Sequence, residues 1–336
     1  MSNPDSPMKI SVVMAAYNAE PWLVETIDSI LQQTYPHFEL LIVNDGSSDR
    51  SGEIIDEYAA RDQRVKPIHH PNWGLCASLN HAIGLARHDW IARMDADDLM
   101  MPNRFERQVA FVQEHPDVTV SATLAHIIDS QGNLHWKTST DLVDRAAYER
   151  YRRENRIMPL YHNTVFMRKS AIEATGGYRP EYYPAEDMDL WDRIADDTDN
   201  LILIQPEHLV AYRIHESSVS VAATRTQYLN LRWLKHSTDC RRSGRRELTR
   251  DEYLHYRSSH SAMRRLKNAR ELWSEVLYKN STVLHVSGHR AKAMVPLVGS
   301  LFLYPSFWVS RMKSKFLKLG PHRPGLGQSQ ARNVSE

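Results

Sequence analysis

Cysteine is scarce in this chain, with only Cys76 and Cys240 among 336 residues. Two cysteines exclude a disulfide framework and fit a reducing compartment. Neither has a second cysteine at metal-ligand spacing, so both read as structural or incidental. Glycine-rich phosphate loops are missing: there is no G-x-G-x-x-G, no P-loop and no internal repeat. Residues 1–9 are polar and contain proline, without the apolar region of a secretory signal, which predicts an active part in the cytoplasm. No apolar run reaches the roughly 20 residues that cross a bilayer comfortably. Net charge is also nearly absent, at +1.

That small net value hides an asymmetry. Residues 225–336 hold 22 Lys and Arg against 7 Asp and Glu, a balance of +15, while residues 1–224 carry −14. An acidic body with a basic tail predicts a metal-binding catalytic part beside a segment that seeks an anionic surface. At this length the chain is either one large α/β domain or two units.

The densest chemistry is Met94-Asp95-Ala96-Asp97-Asp98-Leu99, at the end of the apolar run Trp90–Met94. A strand that feeds a carboxylate cluster can hold Mg²⁺ or Mn²⁺, hard ions that take one or two carboxylates and complete their shell with phosphate and water. The cluster therefore predicts a metal-diphosphate substrate. Ordinary turn chemistry is the competing explanation, since aspartates commonly end strands.

Apolar runs at 10–16, 38–43, 65–69 and 90–94 read as buried strands, and they alternate with helical patterns at 20–33, 51–61 and 75–86. This β-α-β-α order predicts an α/β fold with a doubly wound, mostly parallel sheet, whose ligands bind outside the carboxyl ends of the strands. Asn18, Asp45, Asn72 and Asp95–Asp98 all fall at such ends. Farther along, 102–114 and 141–155 read as helices and 118–128 and 162–167 as strands. Helix is predicted again at 169–175 and 186–195, with strands at 201–204 and 209–212. From 226 to 279 the pattern is helical and basic. The expected division is a catalytic unit over 1–224, a helical extension over 225–320 and a disordered tail over 321–336.

Five segments, in order, resemble the family-2 glycosyltransferases: Ser11–Asn18, Leu41–Asp49, Asn72–Asn80, Met94–Asp98 and Glu186–Trp191. The resemblance spans roughly residues 8–220. It implies the Rossmann-like glycosyltransferase A fold and inverting transfer of a sugar from a nucleotide diphosphate donor, a uridine diphosphate sugar foremost, with guanosine and thymidine carriers open. By position, Asp45 would bond the base, Ala15 and Tyr17 would line its pocket with Asn18 and Asn72 nearby, and Asp95 would touch the ribose. Asp97 would ligate the Mn²⁺ or Mg²⁺ and Asp187 would be the general base. The family often has Pro at position 15 and Arg at 79; this chain has Ala15 and Leu79, so no contact from position 79 to the donor carries over.

Inverting displacement needs a base on the acceptor side and charge neutralisation on the departing diphosphate, and the two acidic clusters supply them separately. At a helix start, Asp187 would sit among N–H groups that favour an anion, which predicts a lowered pKa and a weak, mainly positional base. Glu186 and His162 would face the acceptor, while Trp191 either packs in the core or stacks on a sugar ring. His215, in a segment that resembles the end of the family's catalytic domain, would complete the metal shell as a neutral imidazole. His69-His70 reads as a polar strand end.

Residues 293–309 form the most apolar stretch, 17 residues interrupted by Pro296, Gly299 and Pro305. Cations flank it: Arg290 and Lys292 before, Arg311, Lys313, Lys315 and Lys318 after. This fits a segment lying on an anionic membrane surface, at the inner face of the cell membrane. A helix buried under the catalytic part is the alternative. A recognisable nucleic-acid motif is missing, so no nucleic-acid partner is expected. The favoured activity builds a cell-surface glycan on a saccharide or lipid-linked acceptor. Two competitors are a nucleotidyltransferase, which would need a Gly-rich basic loop where this chain has Ala15-Ala16-Tyr17-Asn18, and an inactive sugar-nucleotide-binding membrane scaffold.

Overall fold

A computed structural model describes residues 7–215, 218–306 and 308. The cations Arg311–Lys318 and the segment 321–336 lie outside the described residues. Three β-α units and a fourth strand open the chain. They are β1 (Ile10–Ala16), α1 (Glu20–Leu31), β2 (Phe38–Asp45), α2 (Ser51–Arg61), β3 (Val65–His70), α3 (Leu75–Leu85) and β4 (Trp90–Asp95). The apolar runs that predict these strands are buried almost throughout β1, β2 and β4, as expected for a sheet covered on both faces. A two-residue β5 (Leu99–Met100) leads into α4 (Arg104–Glu114), β6 (Val118–Ile128), β7 (Leu134–Lys137) and α5 (Arg145–Arg153). Then come β8 (Phe166–Arg168), α6 (Lys169–Ala174), α7 (Glu186–Asp196) and β9 (Leu201–Arg213). The rest is helical: α8 (Val219–Ala222), α9 (Thr224–Arg242), α10 (Arg250–Ser258), α11 (Ala262–Val286) and α12 (Arg290–Leu303).

The strands join in one sheet, in the order β3-β2-β1-β4-β8-β6-β9-β5, with β7 beside β6. β1 pairs in parallel with both β2 and β4, β2 with β3, and β6 with β9. The pairs made by β8, β5 and β7 are antiparallel, so the later half of the sheet is mixed.

Three predicted elements change shape. The strand expected over 162–167 is a 3-10 turn, His162–Thr164, followed by the short β8. Polar bonds draw that segment out of the ladder: Thr164 Oγ1 donates to the Tyr161 carbonyl at 2.8 Å, and Asn163 donates to Asp98. The two strands expected at 201–204 and 209–212 are one strand, β9, whose register against β6 shifts between Gln205 and His208. Pro206 falls in that gap, and a proline has no N–H to give a ladder. The helix expected over 141–155 begins only at Arg145, because the Asp144 side chain accepts from Ala147 N and caps it.

The basic extension is packed against the body. Asn230 Nδ2 on α9 donates to the Tyr182 and Tyr183 carbonyls, and Trp233 stacks on Tyr182 with ring centres 4.0 Å apart. Arg241 and Arg242 pair with Asp192 and Asp196 of α7. The boundary at 224 therefore marks a change in composition, and contacts run across it. Part of the tail's positive charge is neutralised inside the molecule.

Candidate active site

The carboxyl ends of β1, β2 and β4 open into a cleft of about 700 Å³. Ala15, Tyr17, Asn18, Asp45, Asn72, Asp95, Asp97 and His215 all line it, so residues from five separate stretches meet there. Asn18 adopts a left-handed backbone, φ 50°, which asparagine tolerates better than most residues. Its side-chain oxygen accepts from Ser48 N at 2.9 Å, so Asn18 braces the 47–51 loop from the cleft wall. Leu79 is fully buried in the core.

At one end, Asp45 is nearly buried and its carboxylate accepts from Trp73 N at 2.7 Å and Gly74 N at 3.1 Å. Gly46 makes this turn possible. Its φ is +71°, and a Cβ there would stand 2.5 Å from Asn72 N. Trp73 is exposed and stacks flat on His70, with ring centres 3.9 Å apart. His70 Nδ1 also lies 3.4 Å from Asp45. His70 is thus more than a polar strand end. The parallel register that sets Asp45 opposite His70 is the signal that brings it to the site.

Along the rim the three aspartates separate into different roles. Asp95 ion-pairs with the buried Arg93. Asp98 is turned inward and fully buried, accepting from Arg213 N at 2.6 Å and from Asn163, and burial pushes its carboxyl well above the ordinary carboxylate range. Only Asp97 faces a second potential ligand, His215, whose Nε2 is 2.9 Å from Asp97 Oδ2. Stacking on Trp22, ring centres 4.0 Å apart, holds that imidazole in place. Two neighbouring ligands of an octahedral ion at about 2.1 Å stand about 3.0 Å apart, so the separation of this pair suits a divalent cation that takes the place of their hydrogen bond. Among the described residues no group of three or more His, Cys, Asp and Glu could hold a metal. The protein thus offers a part-shell, which suits an ion completed by phosphate and water.

At the other end, Pro180 and Tyr183 line the cleft, and the chain runs from them into α7 with Glu186 and Asp187 in its first turn. Here the structure corrects the expectation of a lowered pKa. Burial raises the Asp187 carboxyl to about 6, against the opposing pull of the Met188 N–H and Arg93. Glu186 is raised further, to about 8, by burial and then by the Asp187 charge beside it. Loss of hydration outweighs the helix terminus. The charge of Asp95 contributes to the rise at Asp187. Glu186 and Asp187 are not themselves part of the cleft wall, which reaches Tyr183, three residues before α7.

Two acceptor-side expectations change. Trp191 is fully buried in the core and cannot stack on a sugar; its ring packs edge-on against His162, centres 5.9 Å apart. His162 Nε2 bonds the Tyr178 hydroxyl at 2.7 Å, and the residue is not part of the cleft wall. Burial pushes its pKa well below the ordinary histidine value, which keeps the ring neutral. Trp22, Trp73 and Tyr183 are the cleft residues that sequence reasoning missed, and His70 supports Trp73 and Asp45 from outside the wall.

The family described as Glycosyl transferase family 2 matches residues 11–176. The O-antigen biosynthesis glycosyltransferase WbnJ of Escherichia coli is 31% identical over 220 residues, covering 64% of this chain and 83% of that protein. Other curated relatives are covered less completely: the chain spans about two thirds of the length of two of them, and 28% of a third. In three dimensions the chain is similar to S. aureus TarS in complex with UDP-GlcNAc, with a TM-score of 0.55 and 16% identity over 91% of this chain and 92% of that one. It is also similar to the mannosyltransferase PcManGT from Pyrobaculum calidifontis in complex with GDP-Man and Mn²⁺, TM-score 0.55 and 14% identity, over 94% and 84% of the two chains. Such low identities concern the fold, which is that of the glycosyltransferase A enzymes. Taken with the family match and the close coverage of the Escherichia coli relative, these likenesses show that the chain belongs to glycosyltransferase family 2 and is a glycosyltransferase.

Proposed function

We propose that this enzyme moves a sugar, with inversion, from a nucleoside diphosphate donor to a saccharide or lipid-linked acceptor during assembly of a cell-surface glycan at the inner face of the membrane. One observation carries the reading: a single cleft holds Asp45 and Trp73, the Asp97–His215 pair, and Pro180 and Tyr183 on the loop that leads into α7. The base of the donor stacks on Trp73 and meets Asp45, with uridine as the first candidate and guanosine as the second. Asp95 reaches the ribose. Asp97 and His215 hold Mn²⁺ or Mg²⁺, which when bound neutralises charge on the departing diphosphate as a Lewis acid. The acceptor hydroxyl oxygen attacks the anomeric carbon as Asp187 takes its proton, and the bond to the diphosphate breaks with its electron pair going to the leaving group. A single displacement inverts the configuration.

Burial helps that base, because a carboxyl near pKa 6 binds a proton more readily than an ordinary aspartate and remains mostly ionised at neutral pH. Glu186, with its pKa near 8, keeps its proton there and spares the pair a second charge. The working form is deprotonated Asp187, so transfer should fall about tenfold per unit as pH drops below about 6. A pH–rate profile that stays flat down to pH 5 would remove Asp187 as the titrating base.

Donor and metal binding can be tested by thermal unfolding. UDP- and GDP-sugars should stabilise the protein only with Mn²⁺ or Mg²⁺ present, by about 2.7 kcal/mol at a ligand concentration a hundredfold above Kd. Asp97→Asn should abolish the metal-dependent part. Equal stabilisation of wild type and variant would end the assignment of Asp97.

A further inference from the structure

We propose that the hairpin of α11 and α12 is a docking surface for an anionic lipid bilayer, lying in its interface with the apolar face of α12 against the acyl chains. The inference deepens the membrane-side part of the proposed function and names the surface responsible.

One face of α12 is apolar and exposed, while α11 buries Leu272, Val276, Val283 and Val286. Met294, Val295, Val298, Leu301 and Phe302 are all exposed, with Val295 at 77% and Phe302 at 75%. Their spacing is that of a single helical face. Met263, Leu266 and Trp273 add exposed apolar surface on α11. Small residues lie in the seam between the helices. Ser274 Oγ donates to the Ser300 carbonyl at 2.9 Å, and Ser281 Oγ to the Ala293 carbonyl at 2.8 Å. At Gly299 an added Cβ would stand 3.2 Å from Leu277, so the helices meet closely there. Small residues inside and large apolar ones outside are what helices use to pack in lipid, where the surroundings give no drive to bury leucine and phenylalanine.

Charge selects the occupant. Arg290 and Lys292 open α12, and Arg264 and Arg265 lie in the first turn of α11. Among the described residues no carboxylate lies within ion-pair distance of these four cations, unlike Arg241 and Arg242 of α9. Basic residues at both ends of an apolar face match an anionic interface, whereas two copies of the chain meeting on this face would oppose like charges. No described helix is long and apolar enough to cross a membrane, and α12 has 14 residues, so the hairpin lies on the bilayer.

Flotation of the full chain with vesicles reads this without any transfer reaction. The wild type should float with phosphatidylcholine–phosphatidylglycerol vesicles about tenfold more than with phosphatidylcholine alone. Val295→Asp/Phe302→Asp should stay at the bottom with both, and Arg290→Glu/Lys292→Glu should lose the preference for the anionic vesicles. Both variants should keep metal-dependent stabilisation by donor, which separates failure here from failure of the proposed chemistry. A wild type that stays at the bottom, or floats only once residues 309–336 are removed, overturns the proposal. So does a Val295→Asp/Phe302→Asp variant that floats like wild type, or light scattering that finds a wild-type dimer which that variant dissolves.

Discussion

Asp187→Asn should lower sugar transfer by about 10²–10⁴-fold, the usual contribution of a positioned general base. Metal-dependent donor binding should be unchanged. An amide takes no proton from an attacking hydroxyl, yet it has the size of the carboxylate. The Oδ1 that accepts from Met188 N at 2.7 Å exists in both side chains, so the first turn of α7 keeps its bond. Burial makes the charged form of Asp187 costly, so the neutral variant should unfold at the same or a higher temperature. A lost activity then cannot be blamed on a lost fold. Calorimetric titration of the donor with Mn²⁺, beside a transfer assay, separates the possibilities. An inactive sugar-nucleotide scaffold predicts no transfer in the wild type, and a nucleotidyltransferase predicts no specific role for this carboxylate. Transfer by the variant at the wild-type rate would rule out Asp187 as the base.

Two residues farther on, the same kind of side chain has a different task, and its loss should weaken the whole molecule. Asp189 is completely buried and is held by two arginines. Arg179 grips both of its oxygens, and Arg193 Nε donates to Oδ2 at 2.9 Å. Asp189→Ala should cost about 3–5 kcal/mol, because it leaves the largely buried Arg193 guanidinium without a counter-charge and Arg179 with Glu247 alone. The damage should reach the cleft, since Arg193 also donates to the Thr175 and Gly177 carbonyls and Arg179 immediately precedes Pro180. Urea unfolding of wild type and variant measures the difference. A midpoint shifted by less than the equivalent of about 1 kcal/mol would mean that the pairs contribute little beyond their own desolvation.

The first three β-α units and β4 were legible because each strand is a short apolar run with a polar strand end, and the ends of parallel strands must share a rim. Asp45, Asp95 and Asp97 therefore met as expected. His70 was not legible. Its importance comes from lying opposite Asp45 in the sheet and under Trp73, and neither neighbour is near it in sequence. Trp191 posed a different difficulty: helical spacing shows that one face of α7 is apolar but not that the ring is wholly enclosed. At Asp187 the competing effects were both foreseeable, and only the depth of burial decided between them. Asp97 and Asp98 are adjacent and chemically identical. What separates them is the Arg213 backbone, supplied from 115 residues away along the chain.

The knitting of α7 to α9 bears on how the enzyme can be divided. Asp192 and Asp196, on the helix that begins with Asp187, take their counter-charges from Arg241 and Arg242, while Asn230 and Gln227 hold the backbone at 182–184. A chain cut at the compositional border would leave Asp192 and Asp196 without these partners and unpin the backbone just before α7. The sheet-bearing polypeptide and the helical polypeptide that follows it are therefore one working part, and evolution cannot readily exchange the second without refitting the first.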